Sequence, residues 1–298
     1  MGRKQTNKVI FENITVLDAG AKGVSVAKAP EGQVIFIPNV VPGDVVDVQT
    51  FKKRKSYFEG KAIKFHSYSQ NRIEPVCQHF GACGGCKWQN MKYEQQLFYK
   101  NQEVYNNLKR IGKIENADDL LDEFINSPEV WHYRNKMEYS FSVIRFDEIL
   151  KEEVDDFSLG FKHRGTWWCV ENLNQDSGMF DEEFESKLHI LRDWFVATGL
   201  PAWLPPKRTG FFRFLVVRKS FLENRLLMNL VTTDRMIDRF DENAFCNKVK
   251  ELLGDRIAGV IHTINNDEGD RVDPLNGSTE LLFGVPKIVE KINGLTFE

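Results

Sequence analysis

The 298-residue chain has no run of about 18 apolar residues, so the sequence predicts no membrane-spanning helix. Its polar start, Met-Gly-Arg-Lys-Gln, is not followed by the apolar stretch of a secretory signal peptide. Internal repeats, low-complexity tracts and a glycine-rich turn between a strand and a helix, as in nucleotide-binding folds, are also missing. We expect a cytoplasmic protein with no membrane partner, and we expect it to be a monomer.

Cysteine is scarce, and its distribution is uneven. The chain has five cysteines, an odd number, and thiols stay reduced in the cytoplasm, which disfavours disulfides. Cys77, Cys83 and Cys86 lie within ten residues with the spacing C-x5-C-x2-C. Thiolates this close together are typical of a metal site. Two kinds remain open: structural zinc, for which His79 is a further candidate ligand, and a 4Fe–4S cluster, which takes four thiolates.

The cysteine segment resembles part of a known enzyme family. The pattern Cys-x5-Cys-Gly-Gly-Cys-x2-Gln, followed by Tyr93, Gln96 and Lys100, is similar to the iron–sulfur segment of the RNA uracil-5-methyltransferases. In that family a TRAM domain precedes the cluster, and a methyltransferase domain of the Rossmann type ends the chain. The resemblance implies RNA as the partner, a 4Fe–4S cluster as a cofactor and S-adenosylmethionine as the methyl donor.

Residues 1–67 are predicted to form a small β-barrel. Short runs in which apolar and polar residues alternate are separated by glycine and proline turns, as in Val24-Ser-Val-Ala and Val45-Val-Asp-Val. Five such strands in about 60 residues indicate an OB-like barrel. The stretch from Gly20 to Gly43 resembles the TRAM domain.

The predicted barrel is basic. Residues 1–70 contain eleven Lys and Arg against six Asp and Glu, a net charge of +5, which leaves −8 for the rest of the chain. A basic module of this kind favours contact with RNA phosphates, and neighbouring aromatic rings can stack on bases. The alternative is a solvated hairpin tip. The candidate RNA-binding residues are Lys52, Lys53, Arg54, Lys55, Tyr57 and Phe58.

Residues 68–112 are predicted to carry the cluster and one helix. Apolar residues recur at helical spacing from Tyr93, and Gly112 is expected to end the helix. The fourth cluster ligand is less clear, because the family's fourth cysteine aligns near Gln175 in this chain. Either Cys169 takes its place, or three thiolates act with another ligand, or the site has decayed. We favour the set Cys77, Cys83, Cys86 and Cys169.

Residues 113–298 are predicted to form an α+β domain with an antiparallel sheet. Strands are predicted at residues 137–143, 212–219, 226–232, 257–264 and 279–283, and helices at 184–198 and 244–253. Tyr-Arg-Asn-Lys at residues 133–136 and Arg-Phe-Leu-Val-Val-Arg at residues 213–218 resemble motifs of the same family. Further candidate RNA contacts are therefore Arg134, Lys136, Arg213 and Arg218, with ion pairs inside the sheet as the alternative.

The resemblance implies a reaction in which a cysteine thiolate adds to C6 of a flipped uracil and C5 takes the methyl group. No catalytic residue is recognised in this chain, since Cys246 lies on a predicted helix and outside the family's motif. We therefore predict the RNA-binding, iron–sulfur portion of an RNA uracil-5-methyltransferase for ribosomal RNA, without the catalytic domain. S-adenosylmethionine would bind only in the missing domain. The alternatives are an RNA-binding module with structural zinc and an iron–sulfur electron-transfer protein.

Overall fold

The computed structural model describes residues 8–298, which form two compact units. The first unit contains the described residues up to Pro75 together with Cys86–Val130. The second contains Val76–Gly85 together with Trp131–Glu298. The predicted division of the chain after residues 67 and 112 stays a prediction.

The first unit begins with a closed five-stranded barrel, which confirms the predicted barrel. Its strands follow the order β1-β2-β3-β5-β4, and only β3 and β5 pair in parallel. Alternate residues point inwards, and Ile35, Ile37, Val46 and Val48 are completely buried. The strands are β1 (Ile10–Ala19), β2 (Val24–Lys28), β3 (Val34–Pro38), β4 (Val45–Lys53) and β5 (Tyr57–Ser67).

The helix predicted after the cysteine segment is also present. Helix α1 spans Tyr93–Asn106 and continues as a π-helical turn over Asn107–Ile111, so that it ends just before Gly112 as expected. None of its residues is fully buried. The helix therefore exists, whereas the structure does not confirm that this segment carries a cluster.

The second unit is built on a seven-stranded sheet with the order β12-β11-β10-β9-β6-β7-β8. The prediction of an antiparallel sheet is wrong, because β10 and β11 pair in parallel. Parallel neighbours need a crossover, and the helix between these two strands supplies it. The strands are β6 (Lys136–Asp147), β7 (Glu152–Lys162), β8 (Val170–Asn172), β9 (Phe212–Ser220), β10 (Arg225–Thr232), β11 (Ile257–Ile264) and β12 (Ser278–Gly284).

Two helices cover one face of this sheet. Helix α2 (Glu182–Ala197) and helix α3 (Glu242–Leu253) lie where helices were predicted. The side chains of Asp181 and Asp241 cap them by accepting hydrogen bonds from the backbone N–H of Phe184 and Ala244.

Aromatic rings fill the space between the helices and the sheet. Phe195 of α2 lies 5.1 Å from Phe141 of β6 and 4.8 Å from Phe212 of β9, measured between ring centres. A short hairpin, β13 (Glu290–Ile292) and β14 (Leu295–Phe297), follows the sheet. No helix in the described part of the chain is long and apolar enough to cross a membrane.

Candidate nucleic-acid interface

The tip of the β4–β5 hairpin presents the basic segment of the barrel to solvent. The two strands pair up to Lys53 and Phe58, and the backbone N–H of Arg54 donates to the carbonyl of Tyr57 at 2.8 Å. The turn between them leaves the side chains of Lys53, Arg54 and Lys55 exposed. These three cations can approach a phosphate backbone without disturbing the barrel.

The other three candidates in this segment are already engaged in the barrel. Lys52 donates to Glu59 across the strands at 2.5 Å, which neutralises its charge locally. Tyr57 is half-buried with its ring edge-on to Phe36, at 5.3 Å between ring centres. Phe58 is 5% exposed and packs against the core, so it offers no ring face for base stacking.

In the second unit, Lys136 and Arg218 lie on the sheet face that α2 and α3 leave uncovered. Tyr139 and Phe141 point towards α2, so the alternation along β6 turns Lys136 to the other face. Arg218 pairs directly with Lys136 across β6 and β9. Both line a groove of about 140 Å³ whose wall includes Asn229 of β10. Lys136 also donates to Glu138 at 2.5 Å.

Arg134 lies just before this strand. Its backbone N–H donates to the carbonyl of Met179 at 3.0 Å, which fixes the main chain, while its side chain is exposed. The second unit thus contains Arg134 and Arg218 with exposed side chains and Lys136 with a half-buried one. They stay predicted RNA contacts.

Arg213 has a different environment, because its side chain is 1% exposed. One guanidinium nitrogen, Nη1, donates to the Asn265 carbonyl at 2.6 Å and to the Asp267 carbonyl at 2.8 Å, and Nη2 donates to the Gly269 carbonyl at 2.7 Å. Burial lowers the pKa of Arg213 from its usual value. The residue fastens the loop after β11 to the sheet, and a phosphate cannot reach it in this conformation.

Three of the four predicted cluster cysteines lie in the second unit, and all three are buried. Cys83 forms an isolated β-bridge with His163, and the backbone N–H of His163 donates to the carbonyl of Cys169 at 2.9 Å. Burial raises the pKa of Cys169 to about 11, which keeps it a neutral thiol at physiological pH. Cys77 is the third buried cysteine of the second unit.

Cys86 belongs to the first unit, where the side-chain amide of Gln89 donates to its sulfur at 3.2 Å. Within residues 8–298, no group of three or more His, Cys, Asp or Glu side chains is placed to hold a metal ion. The prediction of a 4Fe–4S cluster on Cys77, Cys83, Cys86 and Cys169 is therefore wrong. The alternative of structural zinc is contradicted by the same observation on the described residues.

The comparisons with known proteins agree with the barrel and identify it. The family model of the TRAM domain matches residues 5–63. Two RNA methyltransferases described as uncharacterized are similar along nearly the whole chain. The one from Chlorobaculum tepidum is 34% identical over 95% of this chain and 59% of its own length. The one from Porphyromonas gingivalis is 38% identical over 95% of this chain and 61% of its own length.

Along nearly its whole length the chain is similar in sequence to RNA methyltransferases. It spans about three-fifths of the length of the curated relatives that it matches. The fold is similar to the crystal structure of Pyrococcus abyssi tRNA (uracil-54, C5)-methyltransferase in complex with S-adenosyl-L-homocysteine. That match has a TM-score of 0.62 and 19% identity, and it covers 95% of this chain and 58% of the archaeal chain.

These findings overturn the prediction that the chain is only an accessory portion that lacks the catalytic part. The alignments with methyltransferases cover 95% of the chain, which leaves no ground for a separate function as a zinc-bearing RNA-binding module or an electron-transfer protein. The prediction that S-adenosylmethionine would bind only in a missing domain is contradicted by the fold match, which is a structure in complex with S-adenosyl-L-homocysteine.

The sequence prediction missed one feature of the first unit, an exposed aromatic residue next to a fixed arginine. Tyr68 is 67% exposed, and the Arg72 guanidinium carbon lies 5.4 Å from the centre of its ring. The available signal was an aromatic residue in the otherwise polar stretch Ser-Tyr-Ser at residues 67–69. Tyr68 follows the last strand of the barrel and does not contribute to its core.

Proposed function

We propose that this protein transfers a methyl group from S-adenosylmethionine to C5 of a uracil in RNA. The observation that carries the proposal is the homology to RNA methyltransferases along 95% of the chain. The match of residues 5–63 to the TRAM domain supports RNA as the substrate. Uracil as the base and S-adenosylmethionine as the donor are supported by the fold match to a tRNA (uracil-54, C5)-methyltransferase in complex with S-adenosyl-L-homocysteine.

The role that we assign to the described residues is to hold RNA. Lys53, Arg54 and Lys55 at the hairpin tip are exposed cations that can each neutralise a phosphate. Arg134 and Arg218 in the second unit are exposed as well. Phosphate contacts fix the position of the RNA and carry no base information by themselves.

The starts of helices α2 and α3 do not fit the methyl donor. Helix α2 and helix α3 both begin at an aspartate whose carboxylate already accepts a backbone N–H of the first turn. Neither aspartate directly follows a glycine-rich turn of the kind that lets a cofactor approach the backbone. Donor-binding residues are therefore not assigned to these helices, and no catalytic step is assigned to a residue of this chain.

We further propose ribosomal RNA as the substrate, a monomer as the active state and the cytoplasm as the location. The test is to incubate the protein with S-adenosylmethionine that carries a tritium-labelled methyl group. Ribosomal RNA and transfer RNA from cells that lack the gene are supplied in separate reactions. We expect labelled 5-methyluridine in ribosomal RNA. Label in transfer RNA alone would overturn the ribosomal assignment, and no labelled 5-methyluridine in either would overturn the reaction.

A further inference from the structure

Tyr68 lies directly after strand β5 with most of its ring exposed. The residue is 67% exposed, more than Phe98 or Tyr133, which are each about half exposed. The rest of the ring contacts Phe65, at 5.1 Å between ring centres and a tilt of 31°. Phe65 in turn packs against the barrel core. The ring of Tyr68 is thus supported from beneath by the barrel and open on the solvent side.

The chain directly after Tyr68 is fixed by one buried carboxylate. Asp44 is completely buried, and its Oδ1 accepts the backbone N–H of Ser69 at 2.8 Å. Its Oδ2 accepts a hydrogen bond from Nη2 of Arg72 at 2.5 Å and another from the backbone N–H of Val41 at 2.7 Å. Charge-assisted bonds of this kind hold a planar guanidinium in one orientation. The turn that carries Tyr68 is therefore rigid before any ligand arrives.

Arg72 adds a cation to the aromatic pair. Its guanidinium carbon lies 5.0 Å from the centre of the Phe65 ring and 5.4 Å from the centre of the Tyr68 ring. Both distances are within the range of cation–π interactions. A flat, open ring beside a fixed positive charge fits a ligand that has both a π-face and an anionic backbone.

From this geometry we infer that Tyr68 is a stacking platform for an unpaired base of the RNA substrate. The inference rests on the proposed function and adds a substrate class to it: RNA with a single-stranded segment at the barrel. A base in a duplex has both faces occupied by its neighbours, whereas an unpaired base can leave the stack and lie on an aromatic ring. Because the platform is already ordered, little conformational entropy is lost when the base binds.

The test measures binding of a fluorescent single-stranded oligouridine and of an RNA duplex of equal length, at several salt concentrations. The variants are Tyr68→Ala, which removes the ring, and Tyr68→Phe, which keeps it. We expect Tyr68→Ala to weaken binding of the single strand by about 5- to 150-fold, the range given by stacking of one base. Duplex binding and the salt dependence should not change, because stacking releases no counterions. Tyr68→Phe should bind like the unchanged protein.

Phe221 provides a matched control in the second unit. It is 49% exposed and has the Lys219 ammonium 5.1 Å from its ring centre, so it shares the exposed ring and the cation but lies outside the barrel. We expect Phe221→Ala to leave single-strand binding unchanged. An unaltered affinity of Tyr68→Ala, or an equal loss for Phe221→Ala, would overturn the inference. Either outcome concerns only the role of Tyr68, because the unchanged protein is measured in the same assay. The proposed methyl transfer is tested separately, by the labelling assay.

Discussion

The guanidinium carbon of Arg213 lies 4.5 Å from the centre of the Trp203 ring, within the buried interior of the second unit. Arg213 also donates to the side-chain oxygen of Asn265 at 2.8 Å, beside the three backbone carbonyls that it holds. Asn265 uses its amide to donate to the carbonyls of Arg271 and Val272. The arginine therefore organises the loop after β11 through its planar, five-donor head.

Replacing Arg213 by Ala should lower the free energy of unfolding by about 3 kcal/mol, because the loop carbonyls lose a charged donor and stay partly buried. Replacing it by Lys should recover only a small part, since an ammonium cannot span the same acceptors. Urea unfolding followed by circular dichroism measures both changes. A loss below about 0.5 kcal/mol for Arg213→Ala would contradict the assigned structural role.

Arg218, on the same strand, gives the opposite prediction. Its side chain is exposed in the groove beside Lys136, so Arg218→Ala should change stability by less than about 0.5 kcal/mol. If Arg218 contacts a phosphate, its removal should weaken RNA binding and reduce the slope of log K against log salt by about 1. Salt titrations of RNA binding measure the slope. An unchanged slope would remove Arg218 from the set of RNA contacts.

The hairpin tip offers a second pair of variants. Arg54 and Lys55 are both exposed, so the double variant Arg54→Ala, Lys55→Ala should reduce the salt slope by about 2 and leave the melting temperature unchanged. Lys52→Ala is the matched control, because the charge of Lys52 is already paired with Glu59. It should reduce the slope less than either exposed cation does. A larger effect at Lys52 would indicate that its ion pair opens when RNA binds.

Hydrophobic periodicity was sufficient to locate the barrel, the three helices and five of the strands in the sheet, because each is a local pattern. It could not give the direction of β10 relative to β11. Their pairing depends on how the segment with α3 crosses the sheet, which is not a local property.

Burial of charged and aromatic side chains was equally hard to predict. Arg213 and Arg218 are five residues apart on one strand and look equivalent in the sequence. One is buried under a loop that folds back from residues 265–272, and the other is exposed. Likewise Phe58 reads as part of a basic aromatic segment but fills the barrel core. In both cases a distant segment decides the environment.

A buried carboxyl group makes the stability of the second unit depend on pH. Glu185 of α2 is completely buried and accepts hydrogen bonds from the Tyr139 hydroxyl at 2.8 Å and the backbone N–H of Ser177 at 2.7 Å. Burial outweighs these bonds and raises the pKa of Glu185 from 4.5 to about 7. Between pH 4.5 and about 7, the folded state therefore keeps a proton on Glu185 that the unfolded state has released.

The sign of the effect follows from this difference. Stability from protonated Glu185 is fully present below pH 4.5 and is lost as the pH rises through about 7, on the order of 3 kcal/mol in total. Glu185→Gln keeps the shape of the side chain and cannot ionise. The unfolding free energy of the variant minus that of the unchanged protein should therefore rise between pH 4.5 and about 7. Urea unfolding from pH 5 to 8 measures it. A difference that does not vary with pH would refute the raised pKa.

Gly160 in β7 marks a close approach between two strands. A β-carbon at this position would lie 2.1 Å from the carbonyl oxygen of Glu171 and 2.7 Å from the backbone nitrogen of Leu173, both main-chain atoms that cannot rotate away. Gly160 pairs with Asn172 of β8, a strand of only three residues. The missing side chain is therefore what lets β8 join the sheet at its edge.

Gly160→Ala should lower the free energy of unfolding by about 2 kcal/mol, because overpacking forces β8 away from β7. Amide hydrogen exchange should show faster exchange in β8 than in β9, since only the edge of the sheet is displaced. Gly269→Ala is the matched control, as a β-carbon there meets nothing within 4 Å and the backbone does not need a positive φ. It should leave stability unchanged. Equal effects of the two substitutions would show that the contact between β7 and β8 is not what requires glycine.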